Sequence, residues 1–455
     1  MKLDYLFNDR RFFSSMFKIA LPITLQNLVL ASLNLVDTII IGGLDETAIA
    51  GVGLANQYFF LLNLLLFGIT SGSAIFTAQY WGSKDVKNIR RVLGICLITG
   101  GTGALLFSLC GFFFPHEILG IFTRDNNVID LGSQYLRIII SSYVITAFTF
   151  SYSFILRSTG KVKAPLYVSI TALGINTLLN YLLVYGYLGF PEMGVRGSAT
   201  ATVVARFIEF TLLIIIVHWK KYAVAATLRE MTDLSLDFMK RFFKVAVPVI
   251  LNESMWAVGV TMYSIVYAHM GTEVIASTNI SGTIERIIWV IFLGFGNACA
   301  VMIGNKIGEG DEEQVFLYAK RFAILGPAAA VLGGLAVALL SGLALMPYKV
   351  SPVVISYAQK NLIVYCSFMW ARVFNYMNIV GILRSGGDTV FCLFLDLGGV
   401  WLVGVPLVFL SGIVLHLPIY WVYALAHLEE ITKMAAGIPR LLSGKWINNL
   451  TVATK

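Results

Sequence analysis

Residues 18–43 read KIALPITLQNLVLASLNLVDTIIIGG. Between Lys18 and the closing Gly42-Gly43 pair, the sole ionisable side chain is Asp37. The run exceeds the ~20 mostly apolar residues that a helix needs to cross a hydrocarbon core. Similar runs recur along the chain, twelve in all: 16–42, 48–79, 92–114, 132–156, 164–189, 196–219, 242–268, 273–304, 317–346, 355–383, 390–411 and 416–436. They are long and lack the alternation of barrel strands, so the spacing predicts helices, whose backbone groups are satisfied within the element. Of the 455 residues, 58% are apolar and 13% charged, against about 25% charged in soluble domains. An all-α integral membrane protein is expected, and a soluble enzyme is excluded.

The same stretch returns later. Shifted by 226 residues, KIALPITL at 18–25 falls on KVAVPVIL at 244–251, and 12 of the 68 positions from Lys18 to Asp85 are identical without a gap. ILRSTG at 155–160 matches ILRSGG at 382–387, a shift of 227. Each half therefore holds six spans. Because six is even, both halves enter from one side and are expected to be related by a pseudo-two-fold along the membrane normal. The expected organisation is an N-lobe at 1–219 (spans 1–6), a linker at 220–241, a C-lobe at 242–436 (spans 7–12) and a tail at 437–455. Transporters are commonly built from such repeats.

Charge fixes the orientation. The termini, the even-numbered loops and the span ends beside them carry 25 of the 33 Lys and Arg residues, Lys433 among them; the opposite side carries Arg124, Arg196, Lys349 and Lys360, and the other four lie deeper inside spans. Basic residues stay on the cytoplasmic side, so both termini are expected to be cytoplasmic in a multi-pass protein of the cell's inner (plasma) membrane. The net charge of +8 is thus a topology signal and predicts no nucleic-acid partner. The five cysteines lie singly in apolar runs and read as buried small hydrophobes. No cleavable leader is expected.

An ionisable group at membrane depth costs at least about 2.5–3.5 kcal/mol on insertion scales, so each one marks a candidate site. Asp37 flanks a stripe of Asn27, Ala31, Asn34 and Thr38 on span 1, suited to a proton or to a small hard cation such as Na+. Asn176 and Asn180, one turn apart on span 5, are candidate partners from a second helix. Glu253 aligns with Asn27 and Tyr263 with Asp37 in the repeat, so the halves differ where chemistry is expected. Met255, Trp256 and Tyr263 on span 7 suit hydrophobic and cationic ligands, and Arg372 on span 10 is a further candidate. Pairing is expected between Arg206 and Glu209 and between Arg372 and Asp396. No nucleophile–base pair, Walker motif or metal cluster appears, which predicts neither an enzyme nor an ATPase subunit.

The combination of ALPITLQNL and LVDTIIIGGLDETAIAGVGLA, the GSKD and GEGD loops, the paired ILRS-x-G segments and NTLLNYLLVYG resembles the multidrug and toxic compound extrusion (MATE) transporters along essentially the whole chain. The resemblance implies secondary active efflux of organic, cationic or amphipathic compounds in exchange for H+ or Na+, by alternating access in a monomer without other cofactors. It implies ion coupling at Asp37 with Asn34, Asn176 and Asn180, and a span 7 acid near Glu253. The acid that one branch carries in span 10 is missing, and Arg372 is the charge within that span that stands as a candidate. The alternative is a lipid-linked precursor flippase of the same superfamily, which would use Arg206, Arg286 and Arg372 to hold a pyrophosphate.

Overall fold

The computed structural model describes residues 9–452, apart from the side chain of Asn34, and no strand occurs among them. Among these residues ten helices are long and apolar enough to cross a membrane: α1 (Arg10–Gly42), α2 (Glu46–Gly82), α3 (Val86–Phe113), α4 (Asn126–Ser158), α5 (Lys163–Tyr185), α6 (Val195–Trp219), α7 (Leu236–His269), α8 (Thr272–Glu309), α9 (Glu312–Leu345) and α11 (Thr389–Val414). Two more helices complete the expected twelve. One is α10, Pro352–Tyr376 running on as a π-helical turn over Met377–Leu383; the other is α12, formed by Ile419–Ala426 and Leu428–Ser443. Lys360 and Arg372 in α10, and the acid–base pattern LEEITK in α12, make them less apolar than the rest.

The chain folds into two compact units. One runs from Leu25 to Ala246, and the other joins the part of α1 up to Thr24 to the chain from Val247 onward. Both cuts fall inside a helix and beside its repeat proline, Pro22 in α1 and Pro248 in α7. In the unit containing the second half, Phe12 packs edge-on against Tyr318 and Phe322 at 5.0 and 5.1 Å. Arg321 pairs with Asp9 at 2.6 Å, and its guanidinium holds the Asp9 carboxyl below the usual carboxylate range. Gly294 lets α1 approach, since a Cβ there would lie 1.9 Å from Thr24 Oγ1. In the other unit Gly72 does the same for α7, where a Cβ would lie 2.9 Å from that of Ala246.

Cys96, Cys299, Cys366 and Cys392 are buried as expected, but Cys110 is exposed. It shares one face of α3 with Leu106, Leu109 and Phe113, all exposed, because a membrane helix turns apolar residues outward as well as inward.

The linker between the halves is ordered on α3. Thr227 and Glu230 form a capping box around the short helix Leu228–Thr232. Glu230 accepts from the Thr227 amide and pairs with Arg90, contacts that together hold its carboxyl below the ordinary range. Arg91 reaches Asp233 at 2.5 Å. The close approach needs a glycine, since a Cβ on Gly94 would sit 1.9 Å from the Met231 carbonyl oxygen. Backbone cannot rotate out of the way as a side chain can. Gly94→Ala should therefore lift the linker helix from α3, and limited proteolysis should cut between 220 and 235 at least tenfold faster than in wild type. An unchanged cleavage rate would refute this account of the contact.

Candidate ion-coupling site

Asp37 lies near the end of α1 and is 7% exposed. Its Oδ1 accepts a hydrogen bond of 2.5 Å from Asn180 Nδ2 on α5. Asn176, one turn earlier on the same face, donates from Nδ2 to Thr202 Oγ1 on α6 at 3.1 Å. Arg206 follows Thr202 by one turn on α6. Three helices thus converge on one acid, and the local sequence explains how. Gly43 clears the Tyr185 hydroxyl, which donates to the Ile40 carbonyl at 2.7 Å. Gly197 lets α6 lie against the Leu183 backbone of α5.

Both asparagines are fully buried, and both use their amide nitrogens in these bonds. Their oxygens, Asn176 Oδ1 and Asn180 Oδ1, have no partner. Leaving a buried acceptor unpaired costs about 1–3 kcal/mol, so the pocket is short of positive character. Two ligands would cure this. A proton on Asp37 creates an O–H donor for an amide oxygen, and a small hard cation takes carboxylate and amide oxygens directly. Among the described residues no three His, Cys, Asp or Glu side chains gather as a metal site. A cation here would rest on one carboxylate and neutral oxygens.

A model of the MatE family matches residues 22–182 and 248–410, two segments that begin at the repeat prolines Pro22 and Pro248. The chain belongs to the MatE family. This MatE protein is 24% identical over 434 residues to the "Probable multidrug resistance protein NorM" of Thermotoga maritima, covering 94% of this chain and 92% of that one. It is 23% identical to the "Uncharacterized transporter YisQ" of Bacillus subtilis, covering 88% and 87%. Among solved structures, the Vibrio cholerae MATE transporter VcmN in the bent form superposes with a TM-score of 0.86 at 16% identity, covering 95% of this chain and 97% of that one. A MATE in the bent conformation gives 0.86 at 19% identity over 98% of both chains. The protein is a multi-pass membrane protein of a transporter family, with that family's fold.

Within the MatE fold, the site continues as a chain of buried polar contacts. Arg206 pairs with Glu209 at 2.8 Å, and Glu209 Oε1 accepts from Ser169 at 2.9 Å. Ser169 accepts from Gln26 Nε2 at 3.1 Å, and Gln26 Oε1 accepts from Arg157 at 2.8 and 3.2 Å. Gln26 is the buried amide of α1, whereas its neighbour Asn27 is half-buried and stands outside this network. The side chain of Asn34 lies outside the described residues.

In the second half the expected pairing of Arg372 with Asp396 does not form. Glu253 is taken by Arg384 at 2.7 Å. Asp396 pairs with Lys433 at 2.8 Å, not with Arg372. Arg372 instead lies over the rings of Trp289 and Tyr365, 4.7 and 5.4 Å from their centroids, which supply a cation–π partner within the lobe. Met255 is 39% exposed and Trp256 half-buried, and the Met255 carbonyl accepts from Trp401 Nε1 at 3.2 Å. Tyr263 donates to Glu429 at 2.5 Å. Lys433, counted on the side of the termini in the charge census, is buried.

Proposed function

We propose that this MatE protein is an ion-coupled exporter that exchanges H+ or Na+ for organic, cationic or amphipathic compounds. The observation that carries the reading is the buried contact between Asp37 and Asn180, set beside two amide oxygens without donors. Asp37 takes the ion, Asn180 and Asn176 complete its shell, and Thr202 orients Asn176. Asn34 is proposed as a further participant from the same helix. Occupying Asp37 changes which of its neighbours donates and which accepts, so the ion stabilises one packing of α1 against α5 and α6. The substrate stabilises another, and coupling requires only that the two ligands prefer different states.

The relatives named as multidrug resistance proteins support export as the direction. The basic loops support an inner-membrane orientation with both termini cytoplasmic, and a monomer without an ATPase subunit or further cofactor is part of the proposal. The flippase reading loses ground at two of its three arginines, since Arg206 pairs with Glu209 and Arg372 lies over two rings; Arg286 is exposed and donates its Nε to the Gly282 carbonyl.

The test is efflux of a fluorescent organic cation from proteoliposomes, with a pH gradient and a sodium gradient imposed separately. Acceleration at least tenfold by one gradient is expected, and that gradient names the ion. Equal leak under both gradients, from folded protein, would overturn the proposal.

A further inference from the structure

The repeat carries the polar framework of the first half into the second, but with the groups exchanged. A shift of 226 places Tyr263 at the position of Asp37 and Asn252 at that of Gln26; a shift of 227 places Arg384 at Arg157 and Asp396 at Ser169. Where the first half has a carboxylate on its first helix, the second has a phenol, and the carboxylate that meets it is Glu429 on α12, at 2.5 Å. Where the first half has a serine hydroxyl facing Glu209, the second has Asp396 facing Lys433.

Lys433 Nζ lies 2.8 Å from Asp396 Oδ1 and 3.4 Å from Glu429 Oε1, with a side chain 3% exposed. Asn252 Nδ2 donates to the other Asp396 oxygen at 3.2 Å. Asn252 Oδ1 is buried and has no partner. The room is made by glycines of the π-helical turn Gly398–Gly404 in α11. A Cβ on Gly399 would lie 2.3 Å from Lys433 Cε, and one on Gly404 would lie 1.8 Å from the Tyr263 hydroxyl and 2.5 Å from Glu429 Oε2. Such turns recur at functional sites. Two carboxylates meet one small ammonium, with Asp396 held by the Asn252 amide and Glu429 by the Tyr263 hydroxyl; these are the surroundings of a bound cation, here attached through a four-carbon stem.

We propose that the second half holds a cation-binding pocket made by Asp396, Glu429, Tyr263 and Asn252, and that the Lys433 ammonium fills it in place of an ion or ligand from solution. Deleting that ammonium opens the pocket to a primary alkylammonium. The consequence for transport, that the first half alone draws an ion from solution, rests on the export reading above. The pocket itself does not, because it is tested by binding.

Lys433→Ala removes the atoms of n-propylammonium. The purified variant in detergent should melt well below wild type, and millimolar n-propylammonium should raise its midpoint by several degrees more than it raises that of wild type. Neutral n-propanol should raise neither. Equal shifts in the two proteins, or a variant that melts like wild type, would overturn the proposal. Lys433→Met combined with Asp396→Asn and Glu429→Gln carries no charge on either side of the pocket. This triple variant should fold and be indifferent to the amine. Failure of both variants to fold, with amine present throughout purification, would also overturn the proposal, since the defect would then be one of shape and not of charge.

Discussion

Asp37→Asn is expected to reduce gradient-driven efflux to the level of protein-free liposomes, a loss of at least a hundredfold, while leaving the protein folded. The substitution is close to isosteric. The new side chain keeps an oxygen that accepts from Asn180 Nδ2, and its own amide can donate to one of the orphaned amide oxygens, so the packing of α1 against α5 and α6 survives. It cannot ionise. A carboxylate buried at this depth costs several kcal/mol that a neutral amide does not, so the thermal midpoint should hold or rise. Transport and melting are therefore predicted to move apart, and that separation distinguishes a coupling residue from a structural one. Wild-type rates from the Asp37→Asn protein, under whichever gradient drives the parent, would remove Asp37 from the mechanism.

How much of this was legible beforehand depends on where each partner lies in the chain. Asp37 stands out because one acid in an apolar run has few readings, and Asn176 with Asn180 stands out because helical spacing puts both on one face. Both signals are local. Gln26 and Ser169 are 143 residues apart, and no periodicity links them; the network from Arg157 to Glu209 exists only once α1, α4, α5 and α6 are packed. Gln26, not Asn27, is the buried amide of α1, because helical spacing fixes relative angles and not which face turns inward. Lys433, near the end of span 12, counts by sequence among the basic residues on the side of the termini. Its burial depends on two acids, Asp396 and Glu429, the first reaching it from another helix, and on glycines in a π turn that propensity does not reveal. The cuts between compact units, inside α1 and α7, are invisible to a repeat search, which finds where a copied segment starts and not where the chain packs.

The pair beside the site supports the second large effect. Arg206 and Glu209 are both largely enclosed, with side-chain exposures of 12% and 4%, and Glu209 also accepts from Ser169. Removing one member of a buried pair strands the other, at a cost of about 3–5 kcal/mol, whereas replacing both with apolar groups of similar volume is often close to neutral. Glu209→Leu should therefore lower the unfolding free energy by that amount, and Arg206→Met/Glu209→Leu should recover most of it. The single variant has a further consequence. Arg206 lies one turn along α6 from Thr202, beside the site, and without Glu209 the carboxylate of this site left to it is Asp37. A guanidinium bound to Asp37 competes with the incoming ion, so the fraction of Glu209→Leu that remains folded should export poorly while the double variant exports well. Melting and efflux on wild type, Arg206→Met, Glu209→Leu and the double form a double-mutant cycle. A double variant no more stable than Glu209→Leu, or a single variant that exports as well as the double, would show that Glu209 does not hold Arg206 away from Asp37.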